Sequence, residues 1–310
     1  MNESAEILDP GASWNRLIER VGRQSWPPAT LYVVATPIGN LGDLGLRAWQ
    51  ALSRCDVIAA EDTRTSRALL DAWGVDTPLI AAHRHNEAGA AEAIVARLGR
   101  GERVALISDA GAPAVSDPGA RIVRVVREAG FQVQAIPGPS AVVTALMASG
   151  VTSDENPAFV FAGFPPARSG LRQKWLRRWC AVPAPIVLFE SPHKLAATID
   201  DLAVVCGGAR TVTIARELTK RFEQVTTLAL ADVPGWLAGD AHRAQGEFVV
   251  IVHEAPEIEH DDASDESTGR WLDAMLESVS VRDAARIAAK ATGQSRDALY
   301  AQALARRKSD

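Results

Sequence analysis

Residues 104–119 read VALISDAGAPAVSDPG: an apolar run, Val104 to Ile107, breaks into a turn holding two Gly, two Pro and two Asp, and an amphipathic stretch, ARIVRVVREAG, follows. A short β-branched run that feeds such a turn and then a helical pattern is one βα unit. Working outward, LYVVAT, DVIAAE, PLIAAH and FQVQAIP are further short apolar runs, separated by the helix-like RTSRALLDAW and AAEAIVARL. Strands alternating with helices predict an α/β fold with a mainly parallel sheet.

After SAVVTALMAS the chain reaches Gly150 and the polar stretch VTSDENP, where a domain boundary is expected. A second set follows, AFVFAGF, PIVLFE, RTVTIAREL, QVTTLAL and EFVVIVHE, with only two clear helical segments between the runs. More strands than helices predict a mixed sheet. The expected organisation is a flexible leader over 1–29, with Pro27 and Pro28 and no sustained periodicity, an α/β domain over 30–150 and a second over 151–254. An acidic linker over 255–269 and a helical appendage over 270–310 complete it.

The 310 residues exceed the length of one typical domain, and 47% hydrophobic content is that of a soluble globular chain. No apolar run reaches the ~18 residues of a membrane span, and MNESAEILDPGAS opens on acid rather than on the basic start of a signal peptide. A cytoplasmic protein without a membrane partner is expected. Cys55, Cys180 and Cys206 lie far apart and form no CxxC, which predicts buried thiols. His83 and His85 form an HxH without a third ligand, so no metal site is expected.

In open α/β sheets, ligands gather beyond the carboxyl ends of the strands. Those ends carry Thr36 to Asn40, then Glu61 to Arg64, then His85 to Glu87, then the opening motif, then Pro137 to Ser140. Each admits a purely local reading: Pro and Gly make turns, and Ser116 or Asp117 before Pro118 makes an ordinary helix cap. Five on one edge of one sheet argue for a ligand. Neither GxGxxG nor GxxxxGK[ST] is present, and Asp109 and Asp117 would repel a phosphate, so the loop suits a cationic or neutral ligand. In the second half, PIVLFE delivers Glu190 and RTVTIAREL delivers Arg216, Glu217 and Lys220. Charged groups at the end of an apolar strand pair with one another or meet a substrate.

The net charge of −5 hides a basic segment. GLRQKWLRRW, residues 170–179, sets Arg172, Lys174, Arg177 and Arg178 beside Trp175 and Trp179. It reads equally as a platform for single-stranded RNA and as an amphipathic helix that buries Leu176 and both Trp. Arg282, Arg286, Lys290, Arg306, Arg307 and Lys308 make the last segment basic, suited to phosphate contacts or to a dimer.

In order, TPIGNLGD, AEDTR, HNE, SDAGAPAVSDPG, PGPSA, FAGFPP, FESPHK, ARELTK and GEFVV resemble the ribosomal RNA small subunit methyltransferase I family of the tetrapyrrole methylase superfamily. The resemblance runs from about Leu31 to His253, and VRDAARIAAKATGQSRDALYAQAL looks like that family's helical appendage. It implies two α/β domains of the tetrapyrrole methylase type with S-adenosylmethionine (S-adenosyl-L-methionine) in an interdomain cleft, in a homodimer. It also implies methyl transfer to the ribose 2′-hydroxyl of the cytidine at 16S rRNA position 1402 in the small ribosomal subunit. By the same resemblance Pro37, Gly39, Asp109, Ala110, Gly111, Pro113, Ser140, Ala141, Phe189 and Ala215 would hold the cofactor, and Glu190, Arg216 and Lys220 would lie nearest the acceptor. A methylase of a tetrapyrrole or other small molecule on the same fold is the alternative, against which the basic segments speak. Ala112 stands where the family usually has Thr, and Lys194 where Arg is common.

Overall fold

The computed structural model describes residues 10–84, 86–255, 262–292 and 294–307. They form two compact units, and the chain passes from the larger to the smaller between residues 254 and 255. In the larger unit, β1 (Thr30–Val34), β2 (Val57–Ala60), β3 (Leu79–Ala81), β4 (Val104–Ile107) and β5 (Gln132–Ile136) form one sheet in the order β3-β2-β4-β1-β5. Every pairing in it is parallel. Such a sheet is covered on both faces, which is why its strands read as unbroken apolar runs. Tyr32, Val34, Ile58, Ala60, Ala105 and Ile107 pack on one face with Ala48, Ala51 and Leu52 of α2 (Leu46–Arg54). Leu31, Val57, Ala59, Val104 and Leu106 pack on the other with α4 (Glu87–Gly99) and α5 (Ala120–Glu128). A further helix of this half, α3 (Thr63–Ala72), follows β2.

The second sheet orders as β6-β7-β10-β8-β9, from β6 (Val160–Gly163), β7 (Ile186–Glu190), β8 (Thr211–Arg216), β9 (Gln224–Ala229) and β10 (Phe248–Val252). Only β6 and β7 run parallel; the other neighbours are antiparallel, so the sheet is mixed as expected. One face carries α7 (Ser169–Trp179), α8 (Pro192–Cys206) and α9 (Val233–Ala238). The other face carries α6 (Ala141–Ser149): Val142, Ala145 and Leu146 pack on Val187, Ala215, Val249 and Ile251. The helix expected to close the first domain therefore covers the second sheet. By packing, the change of halves falls at the Pro137–Ser140 turn rather than at Gly150, and Ile38 from the loop after β1 joins the same cluster. Polar composition marked the chain's exit, while burial decides which sheet the helix serves.

Two other boundaries also differ. Residues 10–29, expected as flexible leader, contain α1 (Pro10–Gly22), whose Val21 packs against the first core. Arg54 donates to the Gly22 carbonyl at 2.9 Å, Arg103 to that of Trp26 at 2.9 Å, and the Tyr32 hydroxyl to that of Pro27 at 3.0 Å. Trp14, Ile18 and Val21 recur at helical spacing, a signal too short to register beside two prolines. Residues 1–9 lie outside the described residues. The expected linker stops earlier than residue 269, because α10 (Asp262–Leu276) already runs from Asp262. Acidic and small residues suit a helix start as well as a linker. The smaller unit adds α11 (Val281–Thr292) and α12 (Arg296–Arg307) around Leu272, Ala284, Ala285, Ala288, Leu299 and Ala303.

Candidate active site

In the first sheet, the chain leaves β1 in one direction toward β2 and arrives at β5 on the other side, so the crevice opens between the carboxyl ends of β1 and β4. The two loops are zipped there: Thr36 N–H donates to the Gly111 carbonyl at 2.9 Å and Gly111 N–H to that of Thr36 at 3.1 Å. Gly111 takes φ +80°, and a Cβ on it would meet Ile38 Cγ2 at 3.4 Å. The opening motif thus holds backbone against backbone where a ligand would approach.

A cavity of about 370 Å³ lies against these loops. Ile38, Ala110, Gly111, Ala112, Val115, Asp117, Ser140, Ala141 and Val142 line it from the loops after β1, β4 and β5 and from α6. Phe164, Phe189, Glu190, Ser191, Pro192, Leu218, Glu247, Phe248 and Val249 line it from the second half. Its size is that of a small-molecule site. Five of the residues assigned to the cofactor by resemblance, Ala110, Gly111, Ser140, Ala141 and Phe189, are in this lining, as is Glu190. Pro37, Gly39, Asp109, Pro113 and Ala215 are not.

Three of the absent ones, Asp109, Ala215 and Gly39, have identifiable work. Asp109 accepts the backbone N–H of Asp62 at 3.0 Å, so its carboxylate ties the β4 loop to the β2 loop. Asp62 in turn caps α3 through the Arg64 N–H at 2.8 Å. Ala215 is buried beneath the cavity floor among Val187, Val249 and Ile251. Gly39 lies under Lys220, whose Cγ would stand 2.6 Å from a Cβ at that position.

Among the three residues expected nearest the acceptor, only Glu190 lines the cavity, and both its oxygens are engaged. Oε1 accepts the Ser191 N–H at 2.8 Å and Oε2 the Thr198 hydroxyl at 2.6 Å. Arg216 is buried and spends its guanidinium on the carbonyls of Gln245 at 2.7 Å and Phe222 at 3.1 Å, tying the β8–β9 turn to the segment before β10. Lys220 Nζ is clamped between Glu217 at 2.9 Å and Glu247 at 2.8 Å. Burial pulls its pKa down, but the hydrogen bonds to Glu247 and Glu217 outweigh this and raise it. An ammonium so held positions Glu247 at the cavity wall and cannot serve as a base at neutral pH.

Asp117 departs furthest from the sequence reading. It does not cap a helix: α5 starts at Ala120 behind Gly119, and the free N–H groups of Gly119 and Arg121 go to Glu87 Oε1 at 3.0 and 3.1 Å. Glu87 of the HNE motif is thereby a capping residue, and Asp117 is released to the cavity. Ala114 at φ +68° and Ser116 at φ +71° shape the turn that delivers it. Burial first, then the charge of Glu61, pushes the Asp117 carboxyl up to about 6, with Ser108 opposing and Asp109 adding to the rise. Burial and the Asp109 charge raise Glu61 as well. His85 lies outside the described residues, and among those described no cluster of His, Cys, Asp and Glu could hold a metal ion.

The basic segment divides. Arg172 is buried and pairs with Asp201 at 2.6 Å, donating also to the Ala167 and Ala197 carbonyls, so it cannot reach RNA. Trp175 and Trp179 pack against the second core beside fully buried Leu176, as the amphipathic reading has it. Lys174, Arg177 and Arg178 are exposed, with Arg178 over the Trp179 ring at 5.0 Å. In the smaller unit, Arg282, Arg286 and Lys290 form an exposed row at four-residue spacing on α11. Arg306 pairs with Asp273, and Lys308 lies outside the described residues. Among the described residues no helix is long and apolar enough to cross a membrane.

Two sheets, one parallel and one mixed, meeting at a cavity built from β1, β4 and β5 loops define a methylase of the tetrapyrrole type. The family Tetrapyrrole (Corrin/Porphyrin) Methylases matches residues 30–234, and the chain belongs to it. Within it, the chain is a member of the ribosomal RNA small subunit methyltransferase I family, and is a methyltransferase. Proteins of that name from Xylella fastidiosa and Neisseria meningitidis serogroup A are 44% and 42% identical, over 88% and 89% of this chain and 98% and 93% of theirs. The one from Escherichia coli O157:H7 is 41% identical over 88% of this chain and 94% of its own. Residues 262–307 match the RsmI C-terminal HTH domain. Among solved structures, uroporphyrin-III-C-methyltransferase from Thermus thermophilus aligns with TM-score 0.52 and 19% identity, over 73% of this chain and 95% of that one. Diphthine synthase aligns at 0.56 and 14%, over 72% and 90%. Both share the fold.

Proposed function

We propose that this methyltransferase uses S-adenosylmethionine to methylate the ribose 2′-hydroxyl of the cytidine at position 1402 of 16S rRNA in the small ribosomal subunit. The observation that carries the reading is the cavity at the β1 and β4 loop junction in a chain 41–44% identical to proteins named for the rRNA small subunit. Its walls suit the cofactor: apolar faces from Ile38, Leu218 and Phe189, backbone at Ala110 and Gly111 open to close approach, and carboxylates of Asp117, Glu190 and Glu247 facing it. Carboxylates favour a sulfonium and ribose hydroxyls and disfavour a phosphate. When bound, the cofactor supplies an electrophilic methyl group whose transfer is an in-line displacement.

The residues of the chain then have two tasks. Ala110, Gly111, Ser140, Ala141 and Phe189 hold and orient the cofactor, with Asp109 and Gly39 acting indirectly by fixing the loops. Alignment of the acceptor oxygen ~3 to 3.5 Å from the methyl carbon can supply much of the acceleration. Lys174, Arg177 and Arg178, with the row on α11, present cations for RNA phosphates, which favours an RNA substrate over a tetrapyrrole. A homodimer is part of the proposal, supported by Val143 and Met147 on the outer side of α6, 50% and 80% exposed.

The decisive experiment incubates the purified protein with methyl-labelled S-adenosylmethionine and small subunits from a strain lacking the endogenous activity, and maps the label. Label on the ribose of cytidine 1402 is expected. Label on a base, or none, overturns the reading.

A further inference from the structure

We infer that Phe164 receives the nucleobase of the acceptor nucleotide, stacking on it so that the ribose hydroxyl is presented to the cavity. The inference rests on the methyl-transfer reading above and extends it to the substrate side of the site. Phe164 lines the cavity and is 60% exposed. Of the other apolar side chains in that lining, Ile38, Val142, Leu218, Phe248 and Val249 are buried, and Val115, 45% exposed, has no ring. Phe222 is equally open, but it lies outside the lining and its ring is already covered by the Arg221 guanidinium at 5.4 Å. An apolar ring left in water at a cavity is the kind of exposure that calls for a partner.

The chain goes to some length to set this ring there. β6 pairs with β7 as far as Phe161, and the register then slips by one residue between Phe161 and Gly163. A bulge re-aims the side chains that follow it. Gly163 takes φ +78°, which turns the strand out of the sheet, and buried Pro165 with Pro166 fixes the exit. The Phe164 ring then rests edge-on against Phe189, with centroids 5.4 Å apart and planes at 64°. Phe189 is itself packed on Phe161 at 4.8 Å, and both belong to the cluster that α6 covers. Two anchored rings therefore back Phe164, and a ring held in advance loses little freedom when a ligand arrives.

The chemistry of the acceptor says what fits. A ribose carries its base on the carbon next to the one bearing the 2′-hydroxyl, so a nucleotide whose hydroxyl enters the cavity brings its base to the cavity's rim. That base has left its neighbours and lost their stacking, and an aromatic side chain replaces it. A phenyl ring has no hydrogen-bonding group, so Phe164 contributes affinity and orientation for any base and leaves discrimination between bases to other groups.

The test measures steady-state methylation of small subunits, cofactor affinity by calorimetry, and oligomeric state by sedimentation for wild type, Phe164→Ala, Phe164→Leu and Phe164→Tyr. Phe164→Ala and Phe164→Leu should each lose about 10- to 100-fold in kcat/KM for the subunit, the range for one stacked base. Phe164→Tyr keeps the π face and should stay within about fivefold of wild type. Cofactor affinity and oligomeric state should not change in any of them. Phe164→Leu with wild-type kcat/KM would show that apolar area suffices, cofactor affinity falling in step with kcat/KM would give the ring to the cofactor, and a shift in oligomeric state would give it to a second copy of the chain; each overturns the inference. Wild type that labels no ribose rejects the parent reading, whereas wild type that labels the ribose beside an unimpaired Phe164→Ala rejects this inference alone.

Discussion

The shaft of Lys220 lies across Gly39: a Cβ at Gly39 would stand 2.6 Å from Lys220 Cγ and 2.8 Å from its Cε. A lysine from the end of β8 thus closes over the loop after β1, and its ammonium continues to Glu217 and Glu247 at the cavity wall. The contact joins the two sheets at the site itself, and only a glycine leaves room for it.

Gly39→Ala should therefore destabilise the larger unit by about 1–3 kcal/mol, the range for overpacking a filled site, and weaken cofactor binding. Adding Lys220→Ala removes the clash and should restore part of the stability; backbone strain at φ +151° keeps the recovery incomplete. Thermal unfolding of the single and double variants checks this, and strictly additive losses would contradict the contact.

Arg172 and Lys174 belong to one basic segment and should respond oppositely. Arg172→Ala strands Asp201 with its buried charge and should cost about 3–5 kcal/mol of stability. Lys174→Ala, on an exposed face, should change stability by less than about 0.5 kcal/mol yet weaken binding to small-subunit rRNA. Denaturant titration together with filter binding separates the two.

Binding to rRNA should also weaken as salt rises, because phosphate contacts release counterions. Replacing Arg177 and Arg178 together by Ala should lower the slope of log affinity against log salt by about 1 to 2. An unchanged slope would place the RNA elsewhere.

How much of this was legible depended on the range of the interactions involved. The strands of the first sheet could be read because both their faces are buried, which leaves continuous apolar runs such as VALI and VIAA. The loops after β1, β4 and β5 could be read as the site because Gly and Pro mark close backbone approach. Individual side chains could not. Asp109 bonds 47 residues away, Arg172 pairs 29 away and Glu87 caps a helix 32 residues on. Each was a charged residue at a strand end or in a basic run, and its role is settled by a partner that sequence spacing does not bring near. Asp117 was hidden by the opposite fault, since SDPG before a helix has a sufficient local explanation that Glu87 makes unnecessary.

That substitution of roles has a consequence for stability. The Asp117 carboxyl stands at about 6 in the fold against 3.8 for an ordinary aspartate, so the folded state binds its proton more tightly than the unfolded chain does. Its stabilising contribution is complete below about pH 4 and is lost as pH rises through 6; above that, ionised Asp117 works against folding. Asp117→Asn is neutral throughout and should be the more stable protein at pH 8. The two-unit difference corresponds to under ~3 kcal/mol, and partial solvent screening reduces this to about 1–2 kcal/mol, or a few degrees in midpoint. The gap should close by about pH 4, where both side chains are uncharged. Paired melts of the two proteins at the two pH values measure it, and a variant no more stable than wild type at pH 8 would show that Asp117 is not held half-buried beside the carboxylates of Glu61 and Asp109.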